Sequence, residues 1–197
     1  MEWKKHSNLE GAHAFMGASK YSWLNYNEEK LTETYLSSLA VERGTRIHAL
    51  ACEHIRLGIP IPLLMPEQPE TLNLYVNDAI GFRMEPEVVL YYSDNCFGTA
   101  DAISCRIERK ISIDREILRI HDLKTGKTPA SFKQLDIYAA LFCLEYQRKP
   151  EDLIIEERIY QHNEIAISKP EAKDIKPIME KIRRFDEILN KLREERA

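Results

Sequence analysis

A chain of 197 residues with 44% hydrophobic content can bury a full core, and its size favours one domain over several. Its 28 basic against 32 acidic side chains leave a net charge of −4, which excludes the global basic field that draws a protein to any nucleic acid, so contact with DNA must be local. The four cysteines, Cys52, Cys96, Cys105 and Cys143, form no CxxC pair and read as buried thiols of a reducing compartment. The N-terminal "MEWKKHSNLEGAHAF" lacks the apolar segment of a signal peptide, and no run reaches membrane-spanning length, so a cytoplasmic protein without a membrane partner is expected.

From Glu28 to Leu57 the apolar residues Leu31, Tyr35, Leu39, Ile47, Leu50, Ala51 and Ile55 recur mostly at three- and four-residue steps. This predicts helix, divided in two at Gly44 and stopped by Gly58 and Pro60. A proline-rich turn, "GIPIPLLMPEQPE", leads into a weaker helical segment around Leu72 to Ile80. The stretch "EVVLYYSDNCFGTADAISCRIERKISIDREILRIHDLK" is rich in β-branched and aromatic residues, with turn signals at Ser93 to Asn95 and near Ile113 to Arg115. Three sequential antiparallel strands are expected there. "TPASFKQLDIYAALFCLEYQ" returns to helical period, with Thr128 placed as N-cap and Pro129 as the first helical residue. "DLIIEERIYQ" reads as a fourth strand and "KPEAKDIKPIMEKIRRFDEILNKLREERA" as an amphipathic terminal helix. The expectation is a single α/β domain with a mixed sheet: residues 1–83 a mainly helical extension, 84–165 the core and 166–197 the terminal helix.

Two of the strands carry charges where their alternation continues a core face. Asp101 shares a face with Ile103, Cys105 and Ile107, and Asp122 and Lys124 share one with Leu118 and Ile120. An unpaired buried carboxylate costs several kcal/mol or shifts its pKa, so these groups need each other, a cation, or water at a strand end. A divalent metal satisfies two carboxylates, with the Leu123 carbonyl as a further hard oxygen ligand.

With these residues the chain resembles the PD-(D/E)XK nuclease superfamily, and within it the RecB-like, phage-type exonucleases. The resemblance rests on "GTAD" ending at Asp101, "DLK" with Asp122 and Lys124, "QLDIY" with Gln134 and Tyr138, and "RGTRIH" ending at His48. The motifs span Gly44 to Tyr138 in the family's order, and the N-terminal "ASKYSWLNY" is similar to an entry segment of phage and prophage members. The resemblance implies a restriction-endonuclease-like core of helix, three antiparallel strands, helix and strand. It implies that His48, Asp101, Asp122 and the Leu123 carbonyl hold Mg²⁺ or Mn²⁺, the imidazole favouring manganese. Lys124 would orient the attacking water or stabilise charge on the phosphate, and Gln134 and Tyr138 would position substrate or the lysine. Some RecB-like nucleases hold an iron–sulfur cluster on C-terminal cysteines; none follows Cys143 here, and no such cluster is expected.

Plainer readings stand beside these. His48 is also an ordinary helix histidine, Asp101 a turn acid after Gly98, and Asp122 with Lys124 a surface ion pair. Gln134 has capping-box spacing from Ser131, and Tyr138 has the character of a core aromatic. Glu53, Glu85 and Glu87 are possible extra acids of the site, but exposed charge explains each more simply. Lys124, Lys127 and Lys133 offer a local basic patch for a DNA backbone, and the cations of the terminal helix fit a solvated face or a subunit contact.

The expected function is that of a metal-dependent deoxyribonuclease, an exonuclease of phage or prophage recombination, replication or repair. Structure-specific endonuclease and non-catalytic DNA-binding or assembly module are the alternatives. The expected partners are DNA ends, further copies of the chain that retain the substrate, and a recombination or replication protein. End preference follows if the helical extension that supplies His48 covers one side of the cleft.

Overall fold

The computed structural model describes residues 4–9, 11–62, 70–108 and 115–196. The chain divides into two compact units, 1–45 and 46–197. The first holds 3-10 turns at Ser7–Leu9 and Ala18–Asn25 and the start of helix α1, Glu28–Leu57. Within it the Trp23 indole donates to the Gly17 carbonyl at 3.1 Å, and Phe15 meets Tyr35 edge to face.

Helix α1 begins where Asn27 accepts the Lys30 N–H at 2.8 Å. It ends in a Schellman turn: Gly58 takes φ of 64°, Ile59 N–H returns to His54 and Gly58 N–H to Ile55. The helix runs through Gly44, where the sequence suggested a division. A glycine inside a helix costs only about 1 kcal/mol, too little to break a run with good formers on both sides.

In the second unit α2, Glu70–Gly81, precedes β1, Glu85–Ser93, β2, Cys96–Glu108, and β3, Arg115–Leu123. Helix α3, Lys133–Glu145, then crosses to β4, Leu153–Gln161. The three strands expected after residue 84 are antiparallel neighbours, and β4 lies parallel to β3. A fifth strand, β5, Glu164–Ser168, was not expected; it pairs antiparallel with β4 at the sheet edge, and α4, Ala172–Glu194, follows it. The result is a mixed five-stranded sheet of order β1-β2-β3-β4-β5 with helices on both faces, an α+β architecture.

One face packs Leu118, Ile120, Ile155 and Ile159 under α3 and α4. The other packs Ala102, Leu123 and Tyr160 against α2 and the end of α1. This second face also has a charged layer: Phe82 lies between the Arg119 and Arg158 guanidinium groups, at 4.4 and 4.7 Å. Arg158 and the Tyr160 hydroxyl both donate to Asp78, at 2.8 and 2.7 Å.

Two local expectations fail. Thr128 and Pro129 lie in the loop before α3, whose N-cap is Phe132. Gln161 holds that loop open, donating to the Gly126 and Thr128 carbonyls and accepting from Ala130 N–H, so the chain there is committed to β4. Most of the proline-rich turn and the turn near Ile113 lie outside the described residues. Among the described residues no helix is long and apolar enough to cross a membrane.

Candidate metal centre and lysine relay

The site begins with a break in the alternation of β2. Ala100 and Ile103 both pack under α3 while Ala102 packs on the opposite face, so the strand makes an irregular step at Asp101. The simple expectation that Asp101 and Ile103 share a face therefore fails. On the partner strand, Glu87 has φ of 54°, a left-handed conformation costly for a residue with a side chain. The ladder pairs Pro86 with Ala102 and Val88 with Ala100 and passes over the two acids between them.

That irregularity brings three potential ligands together. His48, Glu87 and Asp101 each offer an atom lying within 4.8 Å of the other two. His48 Nδ1 is 3.4 Å from Asp101 Oδ2, and the same oxygen accepts the Leu123 N–H at 2.9 Å. Burial first, and then the Asp122 charge, push the Asp101 carboxyl up to about 6, against the opposing pull of His48 and the Leu123 N–H. Tyr75 of α2 lies deeply buried and feels both acids; burial, then the charges of Asp101 and Asp122, push its phenol up.

The second half of the site is a chain of hydrogen bonds. Lys124 is fixed by its backbone, which donates to the Tyr160 carbonyl of β4 at 2.9 Å. Its ammonium donates to Asp122 Oδ1 at 3.0 Å and to Gln134 Oε1 at 2.9 Å, and lies 2.9 Å from Asp122 Oδ2. The Gln134 amide in turn donates to the Tyr138 hydroxyl at 2.9 Å. Burial raises the Tyr138 phenol pKa, and the bond from Gln134 lowers it. The Tyr138 ring lies against Gly98, where an added Cβ would come within 3.0 Å of Cε1.

The structure thus gathers all the sequence-nominated side chains into two adjoining groups, His48 with Asp101 and Asp122 with Lys124, Gln134 and Tyr138. Leu123 joins the groups through its N–H, while its side chain is buried in the second core cluster. The Asp122–Lys124 pair is no surface pair, because Asp122 is only 2% exposed. Gln134 does not close a capping box: Ser131 accepts the Lys133 N–H, and the Gln134 side chain is committed to Lys124 and Tyr138. Glu87 is exposed as the sequence suggests, yet of the three possible extra acids it is the one that joins His48 and Asp101 in the ligand group.

The donor set suits a hard divalent cation. The 3.4 Å between His48 Nδ1 and Asp101 Oδ2 lies within the span open to two donors that share one ion at bonds of roughly 2.1 Å. Burial first, and then repulsion from Asp122, lift the Asp101 pKa, and a bound cation would offset both. No protein-family model, curated protein or solved structure matches this chain.

Proposed function

We propose that this chain is a metal-dependent deoxyribonuclease with a restriction-endonuclease-like core, acting as a RecB-like exonuclease of phage or prophage DNA metabolism. The observation that carries the reading is the contiguity of the ligand group His48, Glu87 and Asp101 with the Asp122–Lys124–Gln134–Tyr138 relay, bridged by the Leu123 N–H. His48, Glu87 and Asp101 would hold Mg²⁺ or Mn²⁺, with Asp122 beside them. A divalent ion there supplies Lewis-acid activation of the phosphodiester and an activated water at neutral pH.

The residues of the chain then divide the remaining work. Asp122 and Gln134 accept from the same ammonium and so fix Lys124 where it can meet a phosphate oxygen gaining negative charge. Tyr138 receives the Gln134 amide and holds its orientation, so that the amide oxygen, not the nitrogen, faces the lysine. Exposed Lys127 and Lys133 provide the local positive charge that an overall acidic chain needs to hold a DNA backbone. Water adds to phosphorus as the bond to the leaving ester oxygen breaks, and the exonuclease assignment itself rests on the sequence motifs.

The test is incubation of end-labelled linear, covalently closed circular and single-stranded DNA with Mg²⁺, Mn²⁺ or EDTA, using wild type and Asp101→Asn. Cleavage of linear DNA that needs a divalent ion and fails in the variant is expected. Equal cutting of circles makes the protein an endonuclease, and binding without cleavage in any metal makes it a DNA-binding module.

A further inference from the structure

Helix α4 carries a heptad seam that its own domain only half uses. Ile175, Ile178, Ile182, Phe185, Leu189 and Leu192 follow one another at alternating steps of three and four, the spacing of the a and d positions of a coiled coil. Ile175 is fully buried under the sheet, Ile178 and Ile182 are partly covered, and the seam then runs out of the core. Phe185, Ile188, Leu189 and Leu192 are 52, 44, 43 and 44% exposed. Beside them a groove of about 660 Å³ runs between α3 and α4, with Ile137, Pro177, Ile178 and Ile182 in its walls.

We infer that α4 forms an antiparallel pair with α4 of a second copy of this chain. An a/d seam is completed by a helix with the same repeat. The charges around the exposed half point the same way: Lys181, Arg183, Arg184, Lys191 and Arg193 are interspersed with Glu180, Asp186, Glu187 and Glu194. Such a mixed rim fits a surface like itself and gives a uniformly charged partner such as DNA little purchase.

Orientation follows from where the seam is free. In an antiparallel pair the projecting half of each helix enters the other's groove, the partner's Leu192 facing Ile182 and the partner's Leu189 facing Phe185. A parallel pair would leave both grooves open. The antiparallel register also sets Lys181 beside the partner's Glu195, twice by symmetry. The three exposed seam residues, Ile188 beside them and Ile137, itself 43% exposed, present roughly 400 Å² of apolar surface per copy, about half of the roughly 800 Å² each partner buries in a standard interface. The stems of the flanking lysines and arginines supply the rim.

Sedimentation velocity on the full chain, from about 1 to 100 µM, tests this without reference to catalysis. A concentration-dependent dimer is expected, weakened about 30-fold by Leu189→Lys and about tenfold by Lys181→Glu, with the double reversal Lys181→Glu, Glu195→Lys restoring most of the loss. Leu189 is exposed enough that its variant should melt like wild type, and Leu192→Glu serves the same purpose if it does not. A monomer at the highest concentration, or a dimer indifferent to both seam variants, overturns the interface. Failure of the double reversal to restore association overturns the antiparallel register.

Discussion

Replacing Glu157 by Gln should stabilise the protein in a way that grows with pH. Glu157 sits on β4 with no solvent exposure, and among the described residues no donor meets either of its oxygens in hydrogen-bond geometry. Its polar neighbours are the Asp136 carboxyl of α3 and the Ser168 hydroxyl of β5. Burial first, then the charge and the acceptor oxygen of Asp136, push the Glu157 carboxyl up to about 8, because two carboxyls can bond only through a shared proton. An unfolded chain releases that proton near pH 4.5, so between about 4.5 and 8 the folded state holds one proton more. Stability must therefore fall as pH rises across this window. At pH 7 the cost is roughly 2–3 kcal/mol, taking 1.4 kcal/mol per pH unit above the unfolded value and discounting for relaxation. Glutamine keeps the shape and donates an N–H to Asp136 permanently. For a chain of this size the gain amounts to about 5–10 °C in Tm at pH 7 to 8, shrinking toward nothing near pH 5. Calorimetric melts of both proteins at pH 5, 6, 7 and 8 provide the measurement. Parallel Tm profiles, or a variant less stable than wild type at pH 8, would falsify the shared-proton account.

Three further outcomes concern the candidate site. Lys124→Ala should lower single-turnover cleavage by about a hundredfold while leaving DNA affinity within about threefold, as read by binding and cleavage on one duplex; a loss in binding alone would make Lys124 a phosphate anchor. Mn²⁺ should raise the Tm of wild type and leave that of Asp101→Asn nearly unchanged, and equal shifts in both would remove Asp101 from the ligand group. Gly98→Ala should push the Tyr138 ring by a few tenths of an ångström and cost about tenfold in turnover, but nothing more in a Tyr138→Phe background. Additive losses in that double-mutant cycle would show that Gly98 acts on the core and not through the phenol.

The strands, the crossover helix and the Asp122–Lys124 pair were legible because each follows from side-chain alternation, which local sequence records directly. What was not legible depends on register. Ser93 pairs with Cys96 at the turn, but an irregularity between Tyr91 and Ser93 moves the ladder by one residue, so that Tyr91 meets Phe97. Without that shift Val88 would lie opposite Asp101; with it, Glu87 does. The turn is readable from Ser93 to Asn95, but the one-residue slip is not, and without the slip Glu87 reads most simply as surface charge. The left-handed Glu87 backbone is likewise invisible in a sequence that has no glycine there. Strand β5 escaped because it is a five-residue edge strand, with much of its length exposed and too little alternation to announce itself.

Helix α3 faces two ways. Gln134 and Tyr138 reach toward Lys124 and Gly98, while Ile137, between them in sequence, lines the groove beside α4. Ile137 and Gln134 lie three residues apart, less than one turn, on the same helix. One short helix therefore carries, on neighbouring residues, both the partner that holds the lysine and a wall of the groove behind it.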